Sequence, residues 1–540
     1  VLAGLLTTGC VRPTLEGRRC ADADDCLDGY RCVAAVCLAP DRNPAADALL
    51  NDDCPALIGA DALGPIHPSL VADASRVAVV GSLLPLTKDG TAFSTGAARQ
   101  EAVALGLTEI NRNGGVFGRS VVGLACNSDG DVDTAIRAAA HLADVGVPVV
   151  IGEQSSTTTL AVFSEVLRPA GILMIAPSAT SVDLSTVPDD DLLIRTTVSD
   201  ARQAAVLGSV LVDGRQRVAV VAAKDSYGDT LLDGARRVVC ETIDCGDPQA
   251  YVVSRFDAVP DAAVVDVVAS AVGAVTPEAV AIIGQAAQVR PMLERLGVDH
   301  PTAVFVLSDA ARSEVVFSTP TPLAPAIAAR VLGTAPSQRP EGAAFTELQG
   351  NLSDEAADKS FVAHAYDAAV VAGLLHAAVG DALHPTGAAL VARLSMLVGD
   401  DGASPLFTIG ASAGPRDVAV ALRTLEGGEP VDLQGTSGPL DFDGVGDVSG
   451  DIELWRRCPT PPGDAITVSL GVALAADGTV NSVDTACRCD LPGIGCPAGQ
   501  ICADDGVCLA TCAFANELCA TASGDMGVCS GQRGGALGCR

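Results

Sequence analysis

Between residues 76 and 457 the chain repeats one pattern: a short, uninterrupted apolar run, a polar break, then apolar residues at helical spacing. The runs at 76–84, 147–151, 172–175, 218–222, 279–283 and 303–307 are too short for helices and too continuous for half-exposed strands. Helical spacing marks 96–111, 160–167, 230–240 and 288–296; in the first, Ala98, Ala102, Leu105 and Ile110 recur with that period. Strands apolar on both faces must be covered on both faces, so the alternation implies parallel sheets between layers of helices. The stretch is too long for one such sheet, and two lobes are expected. Only 3% of residues are aromatic against 49% hydrophobic, so the cores have to be aliphatic.

The ends of the chain follow a different rule. Of 19 cysteines, six lie in the first 54 residues and ten between Cys458 and Cys539. Only Cys126, Cys240 and Cys245 fall between. Cysteine this dense, in short Gly- and Asp-rich segments, implies a disulfide framework and an oxidising compartment. Cys20, Cys26, Cys32 and Cys37 form one small module, and Cys489, Cys496, Cys502 and Cys508 form another with closely similar spacing. LDGYR in the first and PAGQI in the second join the middle cysteines, with Gly at the same place, which marks an internal repeat. Modules this small need covalent staples, and five-residue gaps do not suit zinc. Cys240 and Cys245 can pair across a turn, and a Cys54–Cys126 bridge would pin the preceding segment to the first lobe.

Residues 1–9 (VLAGLLTTG) run into Cys10 like the end of a bacterial lipoprotein signal, which makes Cys10 the candidate lipidated residue. The alternative is a plain secretory signal with Cys10 in a disulfide. The most apolar stretch, 262–284, is broken by Asp266, Pro277 and Glu278, so contact with a membrane is expected only through a lipid anchor. A net charge of −32 disfavours nucleic acid and anionic lipid as partners.

Across the middle of the chain, several blocks stand in one order: GSLLPLT at 81–87, EIN at 109–111 with GGVFG at 114–118, and GEQSST at 152–157. There follow APSATS at 176–181, Arg195 with DARQ at 200–203, DSYG at 225–228, AYDA at 365–368 and a Gly-rich hairpin at 435–447. In this the chain resembles the periplasmic solute-binding proteins of the branched-chain amino acid type. The resemblance implies the α/β, two-lobed type I periplasmic-binding fold: two doubly wound parallel sheets joined by three crossovers, near Thr197, Thr334 and Gln434. Small disulfide-rich modules would flank it. The expected division is a signal remnant at 1–9, a cysteine-rich module at 10–40 and a linker at 41–75. Lobe 1 would comprise 76–197 and 335–434, lobe 2 would comprise 198–334 and 435–457, and a cysteine-rich region would fill 458–540.

The hydroxyl run from Ser155 to Thr159 sits between a strand and a helix start, where free N–H groups and hydroxyls suit a carboxylate. Simple helix capping is the competing use. Carried over from the resemblance, Ser156 contacts the ligand carboxylate, with Ser155 and Thr157 beside it. Ser178, Ala179 and Thr180 form a second contact loop, Tyr227 supplies an aromatic group from the second lobe, and Asp309 meets the ligand's ammonium. Gln285 stands where relatives place an aromatic, which points to a small or polar ligand. Trp455 reads as core.

Acidic clusters at Asp129, Asp131 and Asp133 and at Asp441 and Asp443 lack the spacing of a calcium loop, and the six histidines lack paired metal spacing. Neither metal nor cofactor is expected, nor is an enzyme. The implied function is capture of an amino acid or related small molecule outside the cytoplasm, in the periplasm or at the cell surface, for an ABC transporter permease. A surface sensor or adhesion protein whose cysteine modules contact partner proteins is the alternative.

Overall fold

The computed structural model describes residues 49–59 and 76–460, except 258, 319, 339–342, 400–403 and 410–415, together with the strand Asp464–Ala473 and short strands in both cysteine-rich regions. Cys10, Val1–Gly9 and most of both cysteine-rich regions lie outside the described residues. Their short hairpins face Cys32 with Cys37 and Cys502 with Cys508 in backbone register, so the sequence repeat extends to local pairing.

Sheet 1 contains β1 (Ala56–Ile58), β2 (Val77–Leu84), β3 (Ser120–Asn127), β4 (Val149–Gly152), β5 (Leu173–Ala176) and β6 (Leu193–Arg195), in the order β6-β5-β4-β2-β3-β1. Every pairing is parallel except that of β1 with β3. Between these strands run α1 (Ser94–Arg112), α2 (Val132–Val145) and α3 (Ser156–Val162). Sheet 2 is entered through α4 (Asp200–Val212). It holds β7 (Val218–Ala223), β8 (Tyr251–Phe256), β9 (Ala279–Ile283), β10 (Val304–Leu307) and β11 (Val331–Pro336), all parallel. Antiparallel β12 (Ile452–Thr460) and β13 (Asp464–Ala473) complete the order β8-β7-β9-β10-β11-β12-β13. Helices α5 (Ser226–Thr242), α6 (Ala262–Gly273) and α7 (Ala286–Asp299) cover it, while α8 (Val362–Ala378) returns to lobe 1. No described helix is long and apolar enough to cross a membrane.

The continuous apolar runs are buried on both faces, as their composition requires. In β7, Ala219, Val221 and Ala223 enter one core while Val218, Val220 and Ala222 enter the other. In β2, Ala78, Val80 and Leu84 face one core and Val77 and Leu83 the opposite one. Scarce aromatic bulk is matched by close helix approach. A Cβ on Gly106 of α1 would come within 2.8 Å of Ala369 Cβ on α8, and one on Gly373 of α8 within 2.8 Å of Ile110. Trp455 is fully buried in lobe 2, edge-on to Phe317 at 6.1 Å between centroids.

Three expected boundaries change. The segment read as a linker, 41–75, supplies β1, and the Cys54–Cys126 disulfide fastens it to β3. The third crossover lies beyond Val448, not at Gln434, because Leu440, Phe442 and Val448 belong to the lobe 1 core. Asp367, buried in α8, holds that hairpin: its carboxylate accepts from the Thr436 and Ser437 amides, at 2.9 and 2.8 Å, and from both hydroxyls, at 2.8 and 2.6 Å. Lobe 2 also runs past Arg457, since β13 pairs with β12 along its length. Cys240 and Cys245 are bonded across the turn after α5.

Asp129, Asp131 and Asp443, from the two acidic clusters, close turns. Asp129 accepts from the Thr87 hydroxyl and from Gly90 N, Asp131 caps α2 through Thr134 N, and Asp443 accepts from Val445 N and Asp447 N.

Candidate functional site

The C-terminal ends of β2, β4 and β5 in lobe 1 face those of β9 and β10 in lobe 2. A cavity of about 190 Å³ lies between them. Strand ends of open α/β sheets release loops whose backbone groups are unpaired, so ligands gather there. Gly152 ends β4 at φ 147°, and a Cβ there would lie 2.0 Å from Leu83 O; only glycine lets the following loop turn over the cavity.

Lobe 1 contributes Ser155, Ser156, Ser178 and Thr180 to the lining. Their roles differ. Ser155 caps α3, accepting from Thr158 N at 3.2 Å and donating to Thr158 Oγ1 at 2.8 Å. Ser178 Oγ is shared between Gln154 O, at 3.2 Å, and the Arg99 guanidinium, at 3.3 Å. Ser156 Oγ accepts from Ser181 N at 3.2 Å, which leaves its hydroxyl hydrogen to point elsewhere. Two expected residues do not line the cavity. Thr157 faces solvent from α3, and Ala179 is fully buried in the core on the α2 side of sheet 1.

Lobe 2 contributes Tyr227, Gln285 and Asp309. Asp309 is 3% exposed and accepts from the Tyr227 hydroxyl at 2.6 Å and from Gln203 Nε2 at 2.9 Å. Burial pushes its carboxyl pKa up, although both hydrogen bonds pull the other way. Burial and the Asp309 charge together raise the Tyr227 phenol well above its usual range. Gln285 caps α7, its side chain and that of Gln288 exchanging bonds with each other's backbone N–H. Asp200, at the start of α4, lies deeper and accepts from the Thr230 hydroxyl at 3.1 Å. Burial first, then the Asp309 charge, pushes it up to about 8.

Sequence reasoning missed the cations. Lys88, Arg99 and Arg312 also line the cavity. Arg312 is committed to the buried Glu453 at 2.8 Å. Arg99, 4% exposed on α1, donates through Nε to Ser360 O at 3.1 Å, and its guanidinium lies over the Phe361 ring at 5.0 Å. Burial lowers its pKa to about 10, against the pull of Glu153 and Asp309. Lys88 Nζ sits 4.2 Å from the Phe93 ring centre, and burial lowers its pKa too. A signal for Arg99 was present: it begins the helical stripe continued by Val103, Gly106 and Ile110, all buried, and a charge on such a stripe needs a reason. Glu153 stays behind the loop, its carboxylate accepting from Ser128 Oγ at 2.5 Å and from the Gln154 and Ser155 amides at 2.6 and 3.2 Å.

The lobes also meet beside the cavity. Ser226 on α5 shares a 2.6 Å hydrogen bond with Ser181 and donates to Asp183 at 2.6 Å, and Lys359 pairs with Glu314 at 3.1 Å. At the hinge, Arg195 forms a two-pronged pair with Asp447, both contacts 2.5 Å, joining the end of β6, before the first crossover, to the hairpin before the third.

Residues 78–427 match the periplasmic binding protein family. A chemotactic signal transduction system substrate-binding protein, BasB of Halobacterium salinarum, is 27% identical over 68% of this chain and 84% of its own length. A Leu/Ile/Val/Thr-binding protein of Salmonella typhimurium is 33% identical over 32% of this chain, and the match spans 46% of that relative. The branched-chain amino acid transporter substrate-binding protein LivJ of Streptococcus pneumoniae, solved with isoleucine, shares the fold: TM-score 0.53 at 16% identity, covering 73% of this chain and all of the other. With two α/β lobes, a cleft at their strand ends and a family match over most of its length, the chain belongs to the periplasmic binding protein family.

Proposed function

We propose that this chain is an extracytoplasmic solute-binding protein that captures an amino acid or similar small polar molecule between its lobes and presents it to an ABC transporter permease. One observation carries the reading: a single cavity sets lobe 1 hydroxyls, Ser156 and Thr180 among them, against lobe 2's Asp309. Hydroxyl donors suit a carboxylate, and a buried carboxylate suits an ammonium group. A zwitterion bridging both walls binds the shut arrangement better than the open one, and that difference drives closure. Relatives named for leucine, isoleucine and valine, and a fold neighbour holding isoleucine, support the ligand class. Lipidation of Cys10 would hold the protein at the cell envelope.

Calorimetry against the twenty amino acids tests the proposal. We expect saturable binding of at least one, without turnover. Charge-assisted hydrogen bonds contribute roughly 1.5–3 kcal/mol each, so alanine at Ser156, Thr180 and Asp309 together should weaken binding by at least about 100-fold. Unchanged affinity in that triple variant would reject the pocket.

A further inference from the structure

Building on that reading, we infer that the ligand is an amino acid with an acidic side chain, its second carboxylate held by Arg99 with Lys88 beside it. Among the described residues, the cavity is lined by three cations and one carboxylate, Asp309. Arg312 is neutralised by Glu453 at 2.8 Å. Among the described residues, neither Arg99 nor Lys88 has a carboxylate within 4.0 Å. Glu153, the acid behind them, is already occupied by three donors.

A guanidinium that is 4% exposed and unpaired is costly to keep unless something pairs with it. The surroundings fix it in place. Its Nε is tied to Ser360 O and its Nη1 to Ser178 Oγ, and nothing described accepts from Nη2. Phe361, whose ring it covers, holds φ 66°, a left-handed conformation that bulky residues rarely adopt. Strain at a functional cleft is tolerated where it positions a group, and here it aims both the Ser360 carbonyl and the aromatic face at Arg99. Asp309 can neutralise the ammonium and the hydroxyl wall can hold the α-carboxylate. Arg99 and Lys88 then remain for a further anion.

The test compares near-isosteric pairs on the unmodified full chain: L-glutamate against L-glutamine, L-aspartate against L-asparagine, with L-leucine alongside. A charge-assisted contact at a buried site predicts at least about a tenfold preference for one acid over its amide. Arg99→Met should bring that ratio close to one, while Arg99→Lys keeps part of it; a thermal melt of each variant verifies folding. If leucine or an amide binds as tightly as the acids, the acidic-ligand inference is overturned while the solute-binding reading stands. Should none of the twenty amino acids bind, both are overturned.

Discussion

Lobe 1 presents hydroxyls and two cations, Lys88 and Arg99, that have no carboxylate within 4.0 Å among the described residues, whereas lobe 2 presents a carboxylate, a phenol and an amide. Both lobes use the same parallel-sheet unit with helices on each side, so the contrast owes nothing to architecture. It arises beyond the strand ends, in the loops and in the opening turns of the helices that follow them, where Arg99, Ser156 and Tyr227 stand. The lobes also differ in how they treat a buried acid. Lobe 1 surrounds Asp367 with four donors and uses it to anchor a hairpin. Lobe 2 keeps Asp200 and Asp309 buried with fewer donors and lets them repel each other.

The largest expected contrast is covalent. The Cys54–Cys126 bridge closes a separation of 72 residues and Cys240–Cys245 one of five. Chain-entropy arguments give about 4 kcal/mol for the first and about 2 kcal/mol for the second. Denaturant unfolding of Cys54→Ser/Cys126→Ser and Cys240→Ser/Cys245→Ser should show that order; equal losses would break it. Asp367→Ala comes next, at about 3 kcal/mol, because four buried donors lose their acceptor. A calorimetric melt unchanged by that substitution would remove the anchoring role.

Smaller effects separate neighbours within lobe 1. Ser155→Ala should lower stability by about 1 kcal/mol through loss of the helix cap. Ser156→Ala should weaken ligand binding roughly fivefold, about 1 kcal/mol. Melting and titration of both variants check the division, and it fails if Ser155→Ala alone impairs binding.

Asp200 gives a test of another kind, a stability that depends on pH. Its folded-state pKa, about 8, lies above the ordinary 3.8, so in that window the folded protein retains a proton that the unfolded chain has released. Stability from this group is whole below about pH 4 and is lost as pH rises through about 8. Asparagine cannot ionise. The melting temperature of Asp200→Asn relative to the unmodified protein should therefore climb from pH 4 to pH 8. A flat difference would show that Asp200 is not protonated in the fold.

Much of the architecture was legible. The runs at 76–84, 218–222 and 279–283 became β2, β7 and β9 with shifts of at most one residue, because an uninterrupted apolar run has few other uses. Strand β3 and helix α2 were not read out, since Ser120–Asn127 carries glycine and cysteine and α2 is rich in alanine, which blurs periodicity. Seven of the nine expected site residues line one cavity. Thr157 and Ala179 do not, because sequence adjacency places a residue in a loop without deciding which way it points. The 41–75 segment looked like a linker because its strand is three residues long and is held by a cysteine whose partner is distant.

By itself, the sequence determined the layers: apolar runs of strand length, separated by helical spacing, cannot be buried except as sheets covered on both faces. It also set the cysteine-dense ends apart from the aliphatic middle, since sixteen of the nineteen cysteines lie in the first 54 residues or from Cys458 onward. Only the tertiary structure decided what meets in the cleft. Arg99 and Asp309, 210 positions apart, share one cavity because two sheets end face to face, and Asp367 draws the late hairpin into lobe 1. Local pattern controls which surfaces must be hidden; the approach of groups far apart in the chain depends on how the hidden surfaces stack.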